Sequence, residues 1–206
     1  MRFLFSCLLL AVILMGARPA AAQQLLGDTR VPYSADRTVV TGGKTYVGRV
    51  YASPGKQRHE QTVNGLPIVA ILRADKQVAW LELADLHVFT DFKFPAAITD
   101  YASPDQLGHP IGTERVAGLM ARKYRIERKG SDGSEVFGYA WIDDDDIVLK
   151  LDGTFIEPNG HETRAGYELS NVHRGPQPPN LFELPSGMAR LPPEAVAPLM
   201  GIKLKP

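Results

Sequence analysis

Apolar and polar residues alternate with a period of two along much of the chain between Thr45 and His173, which predicts strands because successive side chains of an extended backbone point to opposite faces. Five short runs come first: Thr45 to Ala52, Gln57 to Val63, Pro67 to Ala74, Gln77 to Leu83 and Leu86 to Phe92. Ser53-Pro54-Gly55, Asn64-Gly65 and Asp75-Lys76 separate them. These are turn formers, and Asn-Gly between strand-like runs is a strong hairpin signal, so neighbours are expected to pair antiparallel. A second block holds Leu119 to Arg128, Ser134 to Asp143, Asp146 to Leu151 and Thr163 to His173, broken at Gly130-Ser131-Asp132-Gly133, at the aspartate run and at Asn159-Gly160. The pattern predicts a meander in two halves.

Alternation is clearest where Tyr124, Ile126 and Arg128 face one way and Lys123, Arg125 and Glu127 the other, leaving one face wet. Phe137, Tyr139 and Trp141 give the next strand an aromatic face, and Val136, Gly138, Ala140 and Ile142 make its other face apolar, so this strand is expected to be covered on both sides. Helical patterns are sparse: Pro95 to Leu107, and Pro193 to Met200, where proline in the first turn precedes Val196, Leu199 and Met200. Such segments would cover the sheet. A long antiparallel sheet must curl, close or accept a cover. The expected fold class is therefore mainly β, a strongly bent antiparallel sheet or unclosed β-barrel with a few short covering helices. Residues 23–35 carry no strong pattern, and 175–179, with three prolines, read as an extended connector that ends the sheet.

The first 22 residues have a different character. Arg2, an apolar run from Phe3 to Met15 and Ala20-Ala21-Ala22 before Gln23 form the pattern of a cleaved secretory signal peptide. The run is shorter than the roughly 20 residues that a membrane span needs. The expectation is a soluble periplasmic protein of one domain, residues 23–206. The single cysteine, Cys7, falls inside the leader, so neither disulfides nor thiol chemistry are expected of the mature chain. Lipid anchoring would need a cysteine at the cleavage point, where Ala22 and Gln23 stand. Without Arg2 and Arg18, the 23 basic residues become 21 against 23 acidic ones, which lacks the basic excess of a nucleic-acid binder.

Tyr33-Ser34-Ala35-Asp36-Arg37, the run from Gly48 to Glu60 and the run from Ile71 to Trp80 form one set of familiar stretches. Glu114-Arg115-Val116-Ala117-Gly118, Lys123-Tyr124-Arg125 and Trp141-Ile142-Asp143 continue it. Together they resemble the periplasmic LolA/LolB-like lipoprotein-carrier superfamily. The resemblance implies an unclosed β-barrel lined with apolar side chains and covered by short helices, forming a cavity for acyl chains. It also implies a lid latch, an arginine before a proline after an early strand; the matching residue here is Ser53, before Pro54. Where that carrier has a long first helix, this chain has only Gln23 to Asp36. It resembles a divergent member of unknown cargo.

Candidate chemistry is thin. Asp143-Asp144-Asp145-Asp146 could offer oxygens to a hard cation, but an EF-hand loop needs glycine at its sixth position and an acid at its twelfth, and these are Val148 and Thr154. A solvated turn is the simpler reading. No pair among the histidines at 59, 87, 109, 161 and 173 has metal-site spacing, and His161-Glu162 follows a turn signal. No G-x-S-x-G elbow occurs. Neither metal nor cofactor is expected, no catalytic motif is present, and the strands suggest no polar cluster with shifted acidities.

The aromatic residues Tyr46, Tyr51, Trp80, Tyr124, Tyr139, Trp141 and Tyr167 read either as plain core or as the lining of an apolar cavity, with Arg58 and Arg125 at its mouth or on a solvent-facing ladder of charges. The leading expectation is a monomeric, non-enzymatic carrier that shields a lipid or lipoprotein acyl chains, meeting a membrane surface or an envelope protein transiently. Lid movement is expected of residues 95–110 or 193–201. The alternative is an envelope interaction or sensing module with a filled core that docks a protein partner.

Overall fold

A computed structural model describes residues 29–93, 107–129 and 133–200. The leader and nearly all of the Pro95 to Leu107 segment lie outside the described residues. Twelve strands among the described residues form one unclosed, bent sheet. They are β1 (Tyr33–Thr41), β2 (Lys44–Ser53), β3 (Lys56–Val63), β4 (Leu66–Arg73), β5 (Val78–Leu83), β6 (Val88–Lys93), β7 (Gly112–Val116), β8 (Leu119–Lys129), β9 (Glu135–Ile142), β10 (Val148–Ile156), β11 (Glu162–Arg174) and β12 (Ala189–Arg190). The order across the sheet is β12-β6-β5-β4-β3-β2-β1-β11-β10-β9-β8-β7. Two antiparallel meanders, β2 to β6 and β7 to β11, are thus joined through β1, which pairs with both β2 and β11.

Three strands had no counterpart in the periodicity: β1, β7 and β12. β1 eluded the pattern because its buried positions include Ser34, Arg37 and Thr41, which read as polar. β12 is two residues long and pairs parallel with β6, so the connector after Gly175 does not end the sheet as expected. It carries the chain to the opposite edge. Asn64 and Gly65, both at positive φ (51° and 83°), make the two-residue turn between β3 and β4 that Asn-Gly signals. Gln77 and His87 also take left-handed φ, closing single 3-10 turns at Ala74–Lys76 and Ala84–Leu86. β5 and β6 therefore start later than Gln77 and Leu86.

Register fixes which side chains share a face. One face carries Val63, Ile68, Ala70, Leu81 and Leu83, packed under Val196 and Met200 of the segment containing α1 (Pro193–Leu199). On the same face of the other meander, Tyr124, Ile126, Ala140, Ile142 and Leu151 pack with Leu107 and Tyr167. The opposite face of β4 is covered as well. There Val69 and Ile71 pack with Phe182, from a short strap at Pro179–Phe182 that Arg58 and Arg73 hold by donating to the Leu181 and Phe182 carbonyls at 3.2 and 3.0 Å. β9 is not covered on both sides as its pattern predicts. Phe137 and Tyr139 are exposed, and only Trp141 of that row is buried.

The aspartate run forms the turn between β9 and β10. Asp143 Oδ1 accepts the backbone N–H groups of Asp145 and Ile147, each at 2.9 Å, and its other oxygen pairs with Arg174. Arg174 also reaches Asp145 at 2.7 Å, Arg30 reaches Asp146 at 2.5 Å and Arg122 reaches Asp144 at 3.5 Å. Three arginines pair with the four carboxylates, as befits a structural turn.

Candidate functional site

Cross-strand partners place the candidate aromatics directly. Tyr46, Val39, Tyr167, Leu151, Ala140 and Tyr124 form one row across β2, β1, β11, β10, β9 and β8 on the face that α1 covers. Tyr46, Tyr124 and Tyr167 therefore share one face. Tyr51 and Trp80 lie on the opposite face, packed with Val69, Ile71 and Phe182. Arg58 is there too, paired with Glu60 at 2.6 Å and tied to the strap.

Tyr139 and Trp141 share the opposite face of the second meander with Lys123, whose ammonium sits 4.9 and 4.8 Å from their ring centres. Lys150 lies 5.3 Å from the Trp141 ring, and the indole N–H donates to Glu114 at 2.7 Å. Arg125 pairs with Glu127 at 3.4 Å on the same wall. Of nine candidate residues, three share the helix-covered face and six stand on the other side of the sheet.

Among the apolar patches of the helix-covered face runs a polar stripe that the sequence did not disclose. Arg37, on the central strand β1, is only 2% exposed. Its guanidinium crosses β2 to reach β3, where Nη1 donates to His59 Nδ1 at 2.6 Å and Nη2 to Gln61 Oε1 at 3.0 Å. Gly48 stands between them, paired with Arg37 on one side and Gln61 on the other. A Cβ there would lie 2.1 Å from the Glu60 carbonyl oxygen, so the close approach of β2 and β3 at this point requires glycine.

His59 Nε2 completes the stripe, 3.0 Å from Gln57 Oε1. Arginine can only donate, so His59 Nδ1 accepts, and the ring is the neutral Nε2–H form. Burial, and then the charge of Arg37, hold His59 well below the usual histidine range. Burial also draws Arg37 down to about 10, opposed by Tyr167 and then Tyr33. It remains a cation at neutral pH.

No carboxylate pairs with Arg37 among the described residues, and its Nε–H is buried without an acceptor. A polar cluster with shifted acidities thus exists, contrary to the sequence expectation. Both ring nitrogens of His59 are engaged, by Arg37 and by Gln57.

No protein-family model matches the chain, and no curated protein does. Solved structures do match. An uncharacterised conserved protein from Thermus thermophilus aligns at TM-score 0.51 and 15% identity, over 79% of this chain and 91% of its own. A LolA superfamily protein from Nitrosomonas europaea aligns at TM-score 0.41 and 9% identity, over 75% of this chain and 91% of its own. The Pseudomonas aeruginosa MucA/MucB complex yields TM-score 0.46 and 16% identity, over 77% of this chain and 57% of that one. The first likeness concerns the fold alone, and the other two add no argument. The expected fold class, mainly β with a bent, unclosed sheet, is the one this chain has, and one short helix of the described residues lies over it.

Proposed function

We propose that the chain is a soluble, exported, periplasmic carrier that shields a hydrophobic ligand, a lipid or the acyl part of a lipoprotein, against the helix-covered face of its sheet. The observation that carries this reading is the way α1 is held. Val196 and Met200, 0% and 1% exposed, insert into the apolar patch of Val63, Ile68, Ala70, Leu81 and Leu83. A helix of seven residues with Pro198 inside it has almost no stability of its own, so its place depends on that contact.

An acyl chain offers the same surface an equivalent burial at about 25 cal/mol per Å². The helix and the ligand therefore compete for one patch, and the segment from Pro193 to Met200 acts as the lid. Tyr46, Tyr124 and Tyr167 would line the occupied face. No reaction and no cofactor is part of the proposal, and release would require a membrane or partner that offers a better site.

A direct test is titration of the purified protein with 1-N-phenylnaphthylamine, whose emission rises on entering an apolar site. Saturable uptake, increased in Val196→Ala/Met200→Ala, is the expected result. No uptake by either protein would contradict the carrier reading. A second reading, docking of an envelope protein, is favoured by exposed Phe137 and Tyr139 beside Lys123. It predicts a loss of partner capture in Phe137→Ser/Tyr139→Ser with dye uptake absent throughout.

A further inference from the structure

Resting on the carrier reading, we infer that the ligand is an acyl amphiphile with an anionic oxyacid head, and that Arg37 is the counter-charge that receives that head beside the patch the lid covers. The first support is the uncompensated cation. A buried ion without a partner costs several kcal/mol, and Arg37 is nearly fully buried with no carboxylate against it among the described residues and with its Nε–H lacking an acceptor. His59 and Gln61 supply neutral acceptors that hold two of its nitrogens and leave the positive charge standing.

The second support is placement. Arg37, Gly48, Gln61, Ile68 and Leu83 are successive cross-strand partners, so the row that starts at the guanidinium runs directly into the apolar patch under Val196 and Met200. The guanidinium ends at β3, and with strands about 4.8 Å apart β3 to β5 spans roughly 10 Å, enough for the first part of an extended acyl chain. Gly48 adds no side chain where Arg37 crosses β2. A head group drawn to Arg37 would leave its tail lying where the lid packs. A planar guanidinium suits a carboxylate or a phosphate monoester equally in kind.

Equilibrium dialysis of the purified protein against palmitate, hexadecyl phosphate and hexadecanol tests the idea. The wild type is expected to bind at least one of the two acids tenfold or more tighter than the alcohol, and the tighter acid identifies the head. Arg37→Met should weaken binding of that acid roughly 10- to 100-fold, the range for a hydrogen bond to a charged group, and leave hexadecanol unchanged. Arg37→Lys should retain part of the preference.

Equal binding of acids and alcohol by the wild type would overturn the anion subsite and leave the carrier reading standing. Binding of none of the three would overturn both. The wild-type comparison needs no variant, so it decides the matter even where Arg37→Met fails to fold.

Discussion

Glu82 is buried on the strap-covered face of β5, with one carboxylate oxygen lacking a partner among the described residues. Burial raises its pKa, opposed by Arg58 and reinforced by Glu60. A carboxyl whose folded pKa is raised binds more protons folded than unfolded, so its contribution to stability declines as pH rises above the ordinary glutamate value. Glu82→Gln should therefore raise Tm at pH 7.5, with less gain at pH 4.5; thermal melts at the two pH values check this.

His59 has the opposite sign. Its folded pKa is depressed, so the unfolded chain takes up the proton first and stability falls as pH drops below about 6.5. The loss of Tm between pH 7 and pH 5 should be smaller in His59→Gln than in the wild type, measured by circular dichroism at closely spaced pH values. Gly48→Ala should destabilise by about 1–3 kcal/mol, the ordinary cost of forcing an extra methyl into a packed position, because the new methyl meets the Glu60 carbonyl. Urea denaturation would measure it.

At the scale of elements, the segment 193–200 is the part most easily parted from the rest. Its two buried side chains anchor seven helical residues, whereas the strands beneath it are tied on both sides by backbone ladders. Hydrogen exchange should be fast at residues 195–200 and slow in β3, β4 and β5. Met200→Ala, which removes one of the two anchors, should speed exchange in the helix before it affects those strands.

Much of this element map was legible in the sequence. The hairpin at Asn64-Gly65 and nine of the strands announce themselves by turn chemistry and alternation, and the helix from Pro193 by its apolar spacing. β1 did not, because its inward positions mix Ala35 and Val39 with Ser34, Arg37 and Thr41. The one strand that joins the meanders is also the one that carries the buried cation, and both facts were hidden by the same polar residues. Gln57, His59 and Gln61 were already placed on a single strand with period-two spacing. A polar stripe on the inward face of β3 was the one signal from which the site could have been read.

For the whole molecule, the described part of the bent sheet has several apolar patches on one face with a polar stripe among them, and a short helix over one patch. The aromatic residues proved a poor guide to that arrangement. Aromatic side chains suit both faces of a sheet covered on both sides, and only register separates Tyr46, Tyr124 and Tyr167 from Tyr51, Trp80, Tyr139 and Trp141. Alternation assigns faces within a strand, whereas relating the faces of distant strands requires the pairing through β1.

A carrier retains cargo when isolated gently, and this property can be read directly from mass. The most direct measurement is native mass spectrometry of the protein purified from the periplasm without detergent, followed by organic extraction and identification of what is released. The expected result is a species heavier than the bare chain by the mass of an acyl lipid, which extraction removes. A bare mass that stays unchanged after incubation with envelope lipids would contradict the carrier function.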